Sequence, residues 1–239
     1  MHIRDERAFQ SSKRLYELIL SSDAFIGEMD MTLPGSIVEH SKYDARDFIK
    51  EKVYQKLRKQ LIKSFQVDFD FYRHLHPLMI MSLLSNSVLQ KEHLVSLDEN
   101  LWNYAKENGK LMLGLESYET QFQILHSIDP APIYQQLLKI GRNPSAVRKH
   151  TDKGITLYVE GRIHELYILS KSSMHELRKK IIYERNERMA EVVIKLDTAL
   201  QYFITVGAGH LSGKTGMISI LRRQGYKVRP AKNIFNSEE

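Results

Sequence analysis

The stretch Phe203-Ile-Thr-Val-Gly-Ala-Gly-His-Leu-Ser-Gly-Lys-Thr-Gly-Met-Ile-Ser-Ile-Leu-Arg-Arg-Gln-Gly-Tyr226 decides the fold. A β-branched and aromatic run stops at a turn of small residues carrying His210, and a helical pattern follows. That order of strand, turn and helix belongs to an α/β protein, in which a strand delivers a side chain to its carboxyl end. Gly207 and Gly209 let the backbone turn and approach a ligand closely, and Gly213 and Gly216 open the next helix. Gly213-Lys-Thr215 also ends like a phosphate-binding P-loop, whose first glycine would fall at position 208. The chain has Ala208 there, so the phosphate cradle cannot form and the nucleotide reading is set aside.

Working outward, three further segments read as strands or strand ends, each finishing on a polar residue. Ala24-Phe-Ile-Gly-Glu-Met-Asp30 ends on Glu28 and Asp30, and Leu111-Met-Leu-Gly-Leu-Glu-Ser117 ends on Glu116. His2-Ile3 looks like the end of a strand that begins before this chain does. Ligands of parallel sheets bind outside the carboxyl ends of strands, so these residues are expected to converge on one crevice. Between the strands the apolar residues recur at the helical period, as in Phe48, Val53, Leu57 and Leu61. A single long helix is expected over about 173–199, with Leu177, Ile181, Ile182, Met189, Val193 and Leu196 on its apolar face. The expected architecture is α/β: a small central sheet with an active crevice at its strand ends, many packed helices, and a helical middle lobe over about 38–97. Flexible linkers are lacking, which makes 1–239 one continuous domain.

Composition narrows the function. With 42% hydrophobic residues among 239, the chain can bury a sizeable core. Its formal net charge of +6 is spread through mixed runs, which argues for a solvated surface and against nucleic-acid binding. Zero cysteines exclude disulfides, zinc-thiolate sites and a cysteine nucleophile, so any metal must sit on histidine and carboxylate ligands. No apolar run approaches the ~20 residues of a membrane span, and the first seven residues lack the apolar core of a signal peptide. A cytoplasmic protein without a membrane span is expected.

The chemistry concentrates at the strand ends. His210, flanked by glycines, is better placed for a reaction than for packing. Glu28 and Glu116 each end an apolar strand, where desolvation raises a carboxyl pKa unless a cation or donor holds the charged form. Tyr118 and Gln121 follow Glu116 in the first turns of the next helix and are expected to face substrate. Arg185 and Asn186 lie in a charged helical run that by itself reads as a solvated face. The remaining histidines show no zincin spacing.

Taken together, Val206-Gly-Ala-Gly-His-Leu-Ser-Gly213 with Gly216 and Gly225-Tyr226, the Arg185-Asn186 pair, Gly114-Leu-Glu-Ser-Tyr-Glu-Thr-Gln121 and Glu28-Met-Asp30 resemble the TraB/GumN family, which includes the Tiki proteins. The resemblance runs in order through nearly the whole chain. That family is characterised by two Gly-x-x-His motifs with acidic residues and is regarded as a group of divalent-metal-dependent peptidases. Gly207-Ala-Gly-His210 matches the second motif, and Met1-His2 matches the last two residues of the first. The strand and glycine that would precede His2 are expected either upstream of this chain or lost from it.

The resemblance implies a metal-dependent peptide hydrolase acting on a peptide or protein. His2, His210, Glu28 and Glu116 would gather a Mn²⁺, Co²⁺ or Zn²⁺ ion, leaving one carboxylate as base. Arg185 would stabilise the developing oxyanion and Asn186 would position it, while Gly207, Gly209, Tyr118 and Gln121 would touch substrate. The competing expectation is a non-catalytic protein that sequesters a peptide or other ligand in the same crevice.

Overall fold

The computed structural model describes residues 4–31, 44–88, 92–174 and 177–231, with only the backbone of 172–174. In chain order the helices are α1 (Glu6–Phe9), α2 (Ser12–Leu20), α3 (Glu51–Phe65), α4 (Pro77–Ser87), α5 (Leu97–Glu107), α6 (Tyr118–His126), α7 (Ala131–Arg142), α8 (Pro144–Val159), α9 (Ile163–Met174), α10 (Glu184–Ile194) and α11 (Met217–Arg223). The strands are β1 (Ala24–Met29), β2 (Leu111–Glu116) and β3 (Tyr202–Ile204). Each lies within a segment read as a strand from sequence or one residue beyond it. His2-Ile3 lies outside the described residues. Among those described, no helix is long and apolar enough to cross a membrane.

The chain divides into two compact units, with boundaries inside α6 and α8. The unit made of His2–Pro34, Glu92–Ile124 and Gly154–Glu239 holds the sheet. Its strand order is β2-β1-β3, all parallel, with Ala24 paired to both Leu111 and Tyr202 and Met29 paired to Glu116. The central strand β1 is buried on both faces, as the continuous apolar run Ala24-Phe25-Ile26 requires. Phe25 points into a cluster with Phe9, Ile19, Leu101 and Trp102 from α1, α2 and α5. Ile26 points the other way, toward Leu115, Met189 and Met217, so α10 and α11 cover the second face.

Two details bring the strands into line. Lys110 Nζ donates to the carbonyls of Leu20 and Ser22 at 2.7 Å each, joining the entry of β2 to the exit of α2. Gly27 packs against Trp102 so closely that an added Cβ would come within 2.9 Å of the indole ring, which excludes any larger residue from that position of β1.

The single helix expected over about 173–199 is not a uniform α-helix, and it stops at Ile194. α9 ends at Met174, a π-helical turn spans Lys179–Tyr183, and α10 begins at Glu184. The Glu184 N–H bonds to the Lys179 carbonyl, five residues back, and the wide turn resets the helical phase before Arg185.

The second unit contains Gly35–Lys91 and Leu125–Lys153. Helices α3, α4 and α7 close over a core that includes Tyr54, Leu57, Leu61, Phe69, Ile80, Leu84, Tyr134 and Leu137. The helical middle expected over about 38–97 therefore supplies only part of this unit; α7 and the start of α8 complete it, while α5 belongs with the sheet. His76, buried, caps α4: its Nδ1 accepts from the Leu78 N–H at 3.3 Å, and its Nε2 faces the Ile128 carbonyl at 3.3 Å. Because the carbonyl can only accept, Nε2 carries the proton and the ring is neutral. Burial pushes its pKa down to about 4, with the Ile128 carbonyl opposing.

A folded pKa below the free value of 6.5 favours the neutral ring, so its contribution is complete above pH 6.5 and is lost as pH falls toward 4. Thermal unfolding followed by circular dichroism should show stability declining over that window, His76 accounting for at most about 3 kcal/mol. His76→Asn, whose amide oxygen replaces Nδ1 as the cap, should flatten part of the slope; an unchanged slope would count against this reading.

Candidate active site

Parallel register places the carboxyl ends of β1 and β2 side by side, and with them Glu28 and Glu116. Glu28 lies two residues beyond Ile26, on the sheet face that α10 covers. Arg185, in the first turn of α10, lies between the two carboxylates. Its Nη2 donates to Glu28 Oε1 and Glu116 Oε2 at 2.6 Å each, and its Nε donates to Glu116 Oε2 at 2.8 Å. Nη1 reaches the Ile181 carbonyl at 3.4 Å. All three guanidinium nitrogens are thus engaged. Gln121 Nε2 adds a 3.4 Å contact to Glu116 Oε2 from α6, and the Gly207 N–H donates to Glu28 Oε2 at 2.9 Å.

The Gly207–His210 turn closes the site beyond β3. His210 is buried, and its Nδ1 lies 2.6 Å from Asn186 Oδ1. Asn186 is itself buried, and its Nδ2 donates to the Thr215 carbonyl at 2.6 Å. That carbonyl can only accept, so the amide nitrogen must face Thr215 and the amide oxygen must face His210. Nδ1 of His210 therefore carries the ring proton, and the lone pair is on Nε2. Nε2 lies 3.7 Å from Glu28 Oε1, beyond hydrogen-bonding distance.

The electrostatics follow from this geometry. Burial pushes the Glu28 carboxyl up, but His210, Arg185 and the Gly207 amide more than reverse it and hold the pKa at about 2. Burial pushes His210 down to about 4; Glu28 opposes this and Arg185 reinforces it. At neutral pH the site therefore presents an ionised carboxylate beside a neutral imidazole whose free lone pair faces it. An amide that holds one ring nitrogen and so fixes the tautomer is the usual support of a histidine that binds metal through the other.

Glu28 and His210 fit a divalent ion as two members of a nitrogen and oxygen donor set. Among the described residues no group of three or more acids and histidines is arranged to hold a metal. His2, expected as a further ligand, lies outside the described residues. Tyr118 stacks on Phe122 at a centroid distance of 6.2 Å in α6. Gly209 faces open space, with no atom within 4 Å of an added Cβ, whereas at Gly207 a Cβ would meet Glu28 Oε2 at 3.2 Å.

The structure therefore gathers Glu28, Glu116, Arg185, Asn186, His210, Gly207 and Gln121 in one place. The Asn186 role was legible in part: Ile182, Asn186, Met189 and Val193 follow one helical stripe, and a polar residue on an apolar stripe signals a buried partner. Thr215, which contributes only a carbonyl, left no side-chain signal. Arg188 was submerged in the charged run, yet its Nη2 lies 3.9 Å from Glu116 Oε1.

The TraB/PrgY/gumN family model matches residues 1–230. The chain is 24% identical over 214 residues to a metalloprotease TIKI homolog of Nematostella vectensis, covering 76% of this chain and 43% of that protein. It is 42% identical over 65 residues to metalloprotease TIKI2 of Xenopus tropicalis, which is 25% of this chain and 12% of that one. With metalloprotease TIKI1 of Homo sapiens it shares 40% over 58 residues, 23% of this chain and 12% of that one. The chain spans less than half the length of these relatives. No solved structure matches it.

The Arg185 bridge makes a stability prediction. In the native chain Glu28 contributes stability above pH 4.5 that is lost as pH falls toward 2, because its folded pKa lies below the free value. Arg185→Met leaves both acids without this shared cation and should cost about 3–5 kcal/mol at pH 7. Part of that loss should be recovered near pH 5, where protonation relieves the repulsion. Chemical denaturation at the two pH values measures the difference; an equal loss at both would reject the electrostatic account.

Proposed function

The chain belongs to the TraB/PrgY/gumN family, and from that premise we propose that it is a metal-dependent hydrolase of peptide bonds in a peptide or protein substrate. The observation that carries the proposal is the series Thr215–Asn186–His210, which leaves Nε2 of a buried neutral histidine facing the Glu28 carboxylate. The metalloprotease names of its relatives support the same reading. Glu28 and His210 would hold the ion, with His2 as a further ligand; manganese, cobalt and zinc all suit nitrogen and oxygen donors without sulfur. Bound there, a divalent ion lowers the pKa of a bound water toward ~7 and polarises the scissile carbonyl.

The rest is the work of the chain itself. Asn186 holds the His210 ring in one tautomer and one orientation. The Gly207 N–H and Arg185 keep Glu28 ionised and pointing inward. Arg185 and Gln121 fix Glu116 through Oε2, leaving Oε1, which has no hydrogen-bond donor, to receive the proton of the attacking water. The unobstructed backbone at Gly209 and the ring of Tyr118 provide surface against which a peptide can lie.

Protein stripped of metal and reloaded with Mn²⁺, Co²⁺ or Zn²⁺ should cleave members of a peptide library read by mass spectrometry. His210→Ala and Glu28→Ala should abolish the activity. Asn186→Ala should weaken metal affinity or activity by about 10–100-fold, and Lys214→Ala should change little. No cleavage together with no retained metal would sink the hydrolase proposal. Tight retention of a peptide without turnover would make the protein a sequestering one instead.

A further inference from the structure

The nitrogens of Arg185 are committed to Glu28, Glu116 and the Ile181 carbonyl, which leaves the site without an obvious donor for a substrate oxygen. Arg188 follows three residues later on the same helix, a spacing that puts both side chains on one face. Unlike those of Arg185, its buried Nε and Nη2 have no hydrogen-bond partner. Glu116 Oε1, also buried and without a donor, lies 3.9 Å from Nη2. At that separation the two do not satisfy each other by hydrogen bonding.

Buried polar atoms are nearly always paired, because leaving one unpaired forfeits its hydration without return. Here three such atoms, two donor nitrogens and one acceptor oxygen, meet at a single place beside the carboxylate that anchors the site. The Arg188 side chain as a whole is 41% exposed while these nitrogens and Glu116 Oε1 are not, so the three atoms lie covered beneath a solvated part of the same side chain. What completes the arrangement is a group that accepts from the guanidinium next to a group that donates to Glu116. A peptide carbonyl oxygen with a water beside it meets both requirements.

We infer that Arg188, rather than Arg185, is the catalytic residue that binds the scissile carbonyl oxygen and stabilises its developing negative charge, with Glu116 Oε1 receiving the proton of the adjacent water. Arg185 is then a positioning residue that holds the two carboxylates. The inference rests on the peptide-hydrolase reading. It deepens that reading by naming the donor, since electrostatic stabilisation at the reacting oxygen depends on donors already in place and not otherwise engaged.

The test combines kinetics with a readout that needs no turnover. On a peptide the native protein cleaves, Arg188→Met should lower kcat by about 10²–10³-fold, and Arg188→Lys should lose less. Added ethylguanidinium should restore part of the activity of Arg188→Ala, an effect that a purely structural arginine would not show. Arg188→Met activity within twofold of native, or Arg188→Ala activity that ethylguanidinium leaves unmoved, would overturn the assignment. If the native protein cleaves nothing, the hydrolase reading fails by itself, and Arg188 is judged in metal-free protein from its Nε–H resonance during titration with N-acetyl-trialaninamide. With the resonance assigned by its loss in Arg188→Met, a saturable shift on titration supports carbonyl binding there, and an unmoved resonance rejects it.

Discussion

Arg185 between the Glu28 and Glu116 carboxylates is the interaction on which the site depends. Parallel pairing of β1 with β2 forces the two acids to the same sheet edge, and two carboxylates drawn from water at close range repel each other strongly. One guanidinium hydrogen-bonded to both converts that repulsion into a fixed geometry. Together with His210 and the Gly207 amide it also keeps Glu28 ionised despite burial, which a ligand or base must do at neutral pH. Such a buried network contributes less to net stability than to position, because desolvation of the three charges offsets most of their attraction.

The helix that delivers Arg185 is irregular where it needs to be. The π-helical turn at Lys179–Tyr183 changes the phase so that Arg185 meets the carboxylates while Asn186 meets His210. Just before this turn, Arg178 is buried against the rings of Tyr167 and Tyr183, with 4.4 and 5.5 Å to their centroids. Tyr167 also lies under Gly213, where an added Cβ would come within 2.6 Å of the ring. The aromatic contacts thus tie the irregular turn to the glycine-rich segment carrying His210. Glycine at 213, with φ of +91°, is required twice over, by conformation and by space.

The helical unit of α3, α4 and α7 follows a different logic. Its core is apolar and aromatic, and several of its polar groups secure helix ends and turns. Asp44 accepts from Arg46 and Arg73, Arg58 pairs with Asp68 and Asp70, and His76 caps α4. None of these arrangements leaves a buried donor and acceptor facing one another unsatisfied, which is what sets the Glu116 and Arg188 pair apart.

From sequence alone came the strands at 24–30 and 111–117, the strand and glycine turn of 203–210, the candidate residues at their ends, and the restriction of any metal to nitrogen and oxygen ligands. These follow from local pattern: apolar runs, turn residues and the absence of cysteine are visible within a few positions. The helix of 173–199 was legible as helical, but its π turn and its end at Ile194 were not, because one extra residue in a single turn barely alters the apolar spacing. The pairing of Arg185 with Glu28, 157 residues away, could be decided only by the tertiary structure. So could the hold of Asn186 on His210 and the unpaired nitrogens of Arg188. Periodicity reports which residues share a face of one element; which charge meets which depends on sheet register and on how helices dock against the sheet.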